Sequence, residues 1–147
     1  KEAKAIIEAY FERYSGIKNY IESTVEKARE FQYVETMLGR RRPVWDIDST
    51  NHLHREAAKR MAINMPIQGT NAEMIKIAMV AIQKKIEYEH MESKMVLQVH
   101  DELVFEVPEV ELDPIKSLVI VEMESALPLS VPIVVDCGHG KSWFEAH

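Results

Sequence analysis

Cysteine occurs once in this sequence of 147 residues, at Cys137, so an internal disulfide is excluded and the chain suits a reducing compartment. With one cysteine there is also no Cys/His set at finger spacing, which disfavours a structural zinc module. No apolar run nears the roughly 20 residues that a membrane span requires, and Lys1 opens a polar, amphipathic stretch rather than a signal peptide. Met is missing from position 1, so Lys1 is not expected to be a natural start. Repeats and low-complexity linkers are absent too. What remains is a cytoplasmic globular chain of one domain's length, with 46% apolar residues to build a sizeable core.

Positive charge is in short supply overall, with a net charge of −6. Its distribution is uneven. Residues 1–60 hold 12 Lys and Arg against 10 Asp and Glu, whereas residues 61–147 hold 6 against 14. The basic cluster Arg40-Arg41-Arg42 lies in the first part, where contact with phosphates is expected. Acidic charge in the second part is compatible with nucleic acid if divalent cations neutralise it.

Apolar residues at Ala3, Ile6, Ile7, Tyr10, Phe11 and Tyr14 mark a first helix that Ser15-Gly16 breaks, and Ile17, Tyr20, Ile21, Val25 and Ala28 mark a second. The two are expected to pair as an αα-hairpin with their stripes in the core, so Tyr10, Tyr14 and Tyr20 receive no chemistry. Residues 32–49 read as an irregular or short β-ribbon turn around Gly39 to Pro43. A helix is expected from about Asn51 to Met65. Thr70-x-x-Glu73 has the form of a capping box opening another helix to about Glu89, apolar nearly all round from Met74 to Ile82. Asp113-Pro114 supplies an N-cap and a first-turn proline for a helix to Ala126, which Pro128 ends. Val131 to Val135 is expected as a last strand beside the preceding hairpin.

That hairpin is the most informative strip. Met95 to Val99 and Leu103 to Val107 are short runs rich in Val, Leu and Phe, and they flank His100-Asp101-Glu102. A tight turn between two buried strands holds its carboxylates rigidly, as a catalytic divalent cation requires. The strip resembles the metal-binding hairpin of the family A DNA polymerases, the DNA polymerase I group. Upstream, Arg60-Met61-Ala62-Ile63-Asn64-Met65-Pro66-Ile67-Gln68-Gly69-Thr70 is similar to the same family's primer-template contact segment. Arg60, Asn64 and Gln68 recur every fourth residue and share one face of a helix. All three donate hydrogen bonds. The minor groove offers acceptors at purine N3 and pyrimidine O2 in nearly the same places whichever base is present, so a row of donors senses pair geometry and ignores sequence.

The resemblance extends to Lys1–Val34, which looks like the helical part after the nucleotide-binding fingers helix, and to Gly39–Arg42 with Asp46, which resembles the basic turn after it. Trp143-Phe144-Glu145-Ala146-His147 looks like the family's C-terminus, ending in or near the active site. The chain is thereby identified as the C-terminal palm and fingers fragment of a bacterial family A polymerase. The implied fold is α+β, a helical hairpin and long helices packed on a small antiparallel sheet. Residues 1–50 would be partial fingers and residues 51–147 partial palm. Two family elements should precede Lys1, since no Asp-Tyr-Ser strand and no Arg-x3-Lys-x6-Tyr-Gly helix occurs here.

The resemblance implies template-directed nucleotidyl transfer with Mg2+, in a two-metal site completed by an aspartate outside this chain. Asp101 is the expected metal ligand and catalytic residue, and Glu102 a supporting carboxylate, because adjacent strand residues point to opposite faces. Arg60, Asn64, Gln68, Arg40, Arg41 and Arg42 are the expected DNA contacts. His100 is either a contact to the primer terminus or a structural hydrogen-bonder. His52-x-His54 reads as solvated surface, and Asp46, Asp48 and Asp136 follow no ligand pattern. The implied partners are primer-template DNA and deoxynucleoside triphosphates, with no membrane, in a nucleoid-associated enzyme. The fragment alone is expected to be inactive and to self-associate as a homodimer through uncovered strand edges. A metal-dependent nuclease built on Asp101 and Glu102, and a non-catalytic DNA-binding module, are the alternatives.

Overall fold

The computed structural model describes residues 2–146; Lys1 and His147, the outer ends of the expected helical part and C-terminal tail, lie outside them. Among the described residues the elements run α1 (Glu2–Arg13), α2 (Ser15–Phe31), β1 (Tyr33–Glu35), β2 (Arg41–Pro43), α3 (His52–Tyr88), β3 (Lys94–Val99), β4 (Glu102–Glu106), α4 (Leu112–Glu124) and α5 (Trp143–Ala146). Short 3-10 turns at Trp45–Asp48 and Glu109–Glu111 complete the order. The strands form two separate antiparallel pairs, β1 with β2 and β3 with β4, so the fold is α+β as the resemblance implies. Packing divides the chain into two compact units, residues 1–70 and 71–147.

In the first unit Ala28, Val34, Val44, Ile47, Ala58 and Ala62 form the core, with Val25, Met61 and Met65 packed against it. Helix α2 ends at Gln32, whose left-handed backbone (φ 60°) turns the chain into β1 while its N–H still bonds the Ala28 carbonyl. The ribbon expected around Gly39 is present: Tyr33 faces Pro43, Val34 faces Arg42 and Glu35 faces Arg41. Asn51 caps α3, its Oδ1 accepting from the Leu53 amide at 2.9 Å.

The apolar stripe of α1 corrects the expectation that it is core. None of α1's described residues is buried, and Ile6, Ile7 and Tyr10 are largely exposed. Joined to α2 through Tyr14 alone, α1 leaves most of that stripe exposed.

A second correction concerns α3. The expected break between two helices at Met65 and Thr70 is absent, and one helix of 37 residues runs through Pro66 and Gly69. Thr70 does not cap a new helix. Its Oγ1 donates to the Pro66 carbonyl at 2.5 Å and accepts from the Met37 amide at 3.0 Å. A threonine hydroxyl bonded to the carbonyl four residues back is a helix-interior arrangement, one that often bends a helix without ending it.

In the second unit Ala78, Ile82, Ile86, Ile115 and Val119 are buried, with Met91, Met95, Leu103, Phe105 and Val107 packed on them. Truncating the fully buried Ile82 to Ala would cost about 2–5 kcal/mol. Helix α3 closes in a Schellman motif: His90 is left-handed (φ 55°), its amide bonds the Glu87 carbonyl, and the Met91 amide bonds the Ile86 carbonyl at 3.0 Å. Helix α4 starts one residue before the expected cap, so Asp113 and Pro114 occupy its first turn and Asp113 is not the N-cap. Its charge still suits that end of the helix. The expected strand at Val131–Val135 is not formed. Pro132 withholds a ladder donor there, and Val131 and Val134 stay exposed.

Candidate metal and nucleic-acid site

The β3–β4 hairpin turns on two residues, His100 and Asp101, with Val99 facing Glu102 as the first pair of the ladder. His100 holds a left-handed backbone (φ 54°), an uncommon conformation for a residue with a Cβ. Gln98 steadies the turn by donating from Nε2 to the His100 carbonyl at 3.0 Å. Glu102, expected in the turn, is instead the first residue of β4 and half-buried, while Asp101 is exposed.

The strands are less buried than expected. Met95, Leu103 and Phe105 pack on the core, whereas Val96 and Leu97 remain exposed. Between Met95 and Leu97 the register shifts by a bulge, which raises local twist.

The base of the hairpin is clamped. The Glu111 carboxylate accepts from the Ser93 hydroxyl at 2.5 Å, the Ser93 amide at 2.9 Å and the Glu92 amide at 2.9 Å. Those bonds, the Ser93 hydroxyl first, hold the Glu111 carboxyl below its ordinary value. Asp101 differs: among the described residues its carboxylate has no hydrogen bond or ion pair within the chain. An exposed, uncommitted oxygen donor on a short ladder suits a hard divalent cation as one ligand of several. No three His, Cys, Asp or Glu side chains converge on a common point among the described residues.

Arg60, Asn64 and Gln68 are all exposed along α3, on the opposite side from the buried Ala58, Ala62 and Thr70. Each is free of hydrogen bonds and ion pairs to other described side chains. The helix is tied down elsewhere. Tyr20 on α2 donates its hydroxyl to the Ile63 carbonyl at 2.8 Å, and burial pushes that phenol's pKa up, keeping it a neutral donor. All three arginines are exposed, and the Arg41 guanidinium lies 4.5 Å from the Tyr33 ring centre with its Nε 3.3 Å from Glu35. Asp48, left without a role by the sequence, pairs with Arg29 at 3.5 Å and accepts from Gln32. In α5, Phe144 is almost fully exposed.

Two residues escaped sequence reasoning. Tyr20 was read as core, and nothing local marks its bond across 43 positions. Thr70 was read as a cap, although its place four residues after Pro66 is the spacing of a threonine bonding back along a helix.

Comparison with known proteins decides the family. The model for DNA polymerase family A matches residues 1–145. The chain belongs to DNA polymerase family A. It is 51% identical over 146 residues to DNA polymerase I of Streptococcus pneumoniae (strain TIGR4), covering 99% of this chain and 17% of that protein. DNA polymerase I of Mycobacterium tuberculosis (strain H37Rv) is 45% identical, again over 99% of this chain and 16% of its own length. Among solved structures, the POL domain of Pol1 from M. smegmatis, in complex with DNA primer-template and dNTP, superposes with a TM-score of 0.96 at 46% identity. That match covers 99% of this chain and 26% of the other. The chain therefore spans about one sixth of the length of the curated relatives it matches.

Proposed function

We propose that this chain is the part of a DNA-directed DNA polymerase I that carries one metal-binding carboxylate and the minor-groove donor row. Partial fingers lie in residues 1–50 and partial palm in residues 51–147. The carrying observation is the TM-score of 0.96 across 99% of the chain to a polymerase domain holding primer-template and dNTP.

In the intact enzyme Asp101 and the missing upstream aspartate would hold Mg2+, with Glu102 supporting. Magnesium, when bound, lowers the pKa of the primer 3′-hydroxyl and steadies the departing pyrophosphate. Asp101 contributes a fixed negative oxygen at the turn tip, and Gln98 and the Glu111–Ser93 clamp keep the hairpin from shifting. Arg60, Asn64 and Gln68 donate to the minor-groove edge of the newly formed pairs, accepting any correct pair. Arg40 and Arg42 meet phosphates, with Arg41 bracing the ribbon through Tyr33 and Glu35. His100 would touch the primer terminus, and the aromatic tail would end in or near the site. The bacterial relatives support a cytoplasmic enzyme, whose DNA substrate would place it at the nucleoid.

A self-contained nuclease would need more converging ligands than the described residues bring together. A non-catalytic binding module would leave the exposed, uncommitted Asp101 without purpose. The deciding experiment is single-turnover incorporation by the intact enzyme with Asp101→Ala. Loss of incorporation with DNA affinity kept within about tenfold supports the reading, and unchanged incorporation overturns it.

A further inference from the structure

We propose that Tyr20 and Thr70 are positioning residues for the donor row, holding the proline-interrupted turn of α3 so that Asn64 and Gln68 stay in line. The inference rests on the reading of Arg60, Asn64 and Gln68 as minor-groove donors.

Pro66 lies between Asn64 and Gln68 and has no N–H, so it cannot bond the Ala62 carbonyl. A proline in a helix interior kinks or loosens the turn before it unless neighbouring groups restrain the carbonyls there. One side chain holds a carbonyl in that turn and another holds the carbonyl of Pro66 itself, in the turn that follows. The Tyr20 hydroxyl donates to the Ile63 carbonyl at 2.8 Å, one residue before Asn64. The Thr70 hydroxyl donates to the Pro66 carbonyl at 2.5 Å, and the Met37 amide donates to Thr70 at 3.0 Å.

Gly69 completes the arrangement. A Cβ built there would meet the Thr36 Cγ2 at 2.6 Å, so only glycine lets Thr36 approach α3. Thr36 is itself the anchor of the basic turn: its amide bonds the Arg40 carbonyl at 2.9 Å, its carbonyl accepts from Gly39, and its Oγ1 accepts from the Arg40 amide at 3.1 Å. The backbone carrying Arg40 and the backbone carrying Gln68 are thus pinned together at Thr36, Met37, Gly69 and Thr70. Helix α3 keeps its length through Pro66 because two other elements hold the loosened turn.

The test uses the intact polymerase and three conservative variants, Tyr20→Phe, Thr70→Val and Thr70→Ser. Each is read by single-turnover extension of matched and mispaired primer ends, alongside thermal melting. Thr70→Val and Tyr20→Phe should each slow matched extension roughly three- to tenfold, the equivalent of one lost hydrogen bond, and narrow the ratio of matched to mispaired rates. Thr70→Ser, which keeps the hydroxyl, should restore both. A purely structural role would lower the melting temperature and leave that ratio unchanged, and this result in folded Tyr20→Phe and Thr70→Val would overturn the proposal. Asn64→Ala and Gln68→Ala serve as controls. If they slow matched extension while the positioning variants do not, the proposal alone fails; if they are silent, the donor-row reading fails and the proposal with it.

Discussion

The stretch of α3 from Arg60 to Gln68 and the hairpin tip at His100–Asp101 both offer uncommitted polar groups to solvent, but their backbones are secured in opposite ways. The helical stretch is tied from outside, by Tyr20 and by the Thr36–Met37 turn. The hairpin is held mostly by itself, through its own short ladder, one packed face and the clamp of Glu111 on Ser93. Its other face keeps Val96 and Leu97 exposed, and among the described residues β3 and β4 pair only with each other. A surface that measures the shape of a base pair has to be rigid in advance, because its tolerance is the size of the error it rejects. A metal ligand needs rigidity as well, and at the hairpin tip the short turn and its ladder supply it locally.

The comparison can be broken most severely at the hairpin. The isolated 147-residue chain should show no template-directed primer extension, because no three metal-ligating side chains converge among the described residues. Magnesium-dependent incorporation by that purified chain would refute the shared-site picture. The same chain, with unpaired edges on β3 and β4, should self-associate, and sedimentation equilibrium at micromolar concentration showing a monomer at every concentration would count against it.

Within the intact enzyme Asp101→Ala should abolish incorporation and Glu102→Ala should reduce it less, since Glu102 sits half-buried on the strand rather than at the tip. If both substitutions proved equally silent in a single-turnover assay, the metal assignment would be wrong. Next in size, replacing Arg60, Asn64 or Gln68 by Ala should weaken extension by about 1–3 kcal/mol each, whatever the terminal base pair. A loss confined to one base pair would mark sequence readout instead.

The smallest effect concerns the clamp. Glu111 has its carboxyl lowered below the ordinary 4.5 by the Ser93 hydroxyl and the Glu92 amide. A lowered folded value means that this stabilisation is complete above the unfolded value and disappears as pH falls through the folded one. Melting curves from neutral to acid pH should therefore show a shallower acid-side decline for Glu111→Gln than for the unaltered chain. Identical slopes would remove the clamp from the account of the hairpin.

Much of this was legible in the residues. The hairpin around His100–Asp101, the ribbon around Gly39 and the exposed face of Arg60, Asn64 and Gln68 all lie where period and turn chemistry put them, because each depends on contacts a few positions apart. The misreadings share one cause. Pro66 and Gly69 look like helix breakers, and Thr70-x-x-Glu73 like a cap, until Tyr20, Thr36 and Met37 arrive from distant positions to restrain the turn. The stripe of α1 reads as core and Val131–Val135 as a strand, yet burial and pairing both need a partner that local pattern cannot supply.

By itself, then, the sequence determined the elements whose stability is local, the chemistry on their faces and the family resemblance carried by two short motifs. Only the tertiary structure decided that α3 is continuous, that Thr70 bonds backward along the helix, and that the basic turn is fastened beside the donor row. The first and last of those outcomes rest on hydrogen bonds and close approaches between residues more than thirty positions apart, and such contacts leave no period in a sequence.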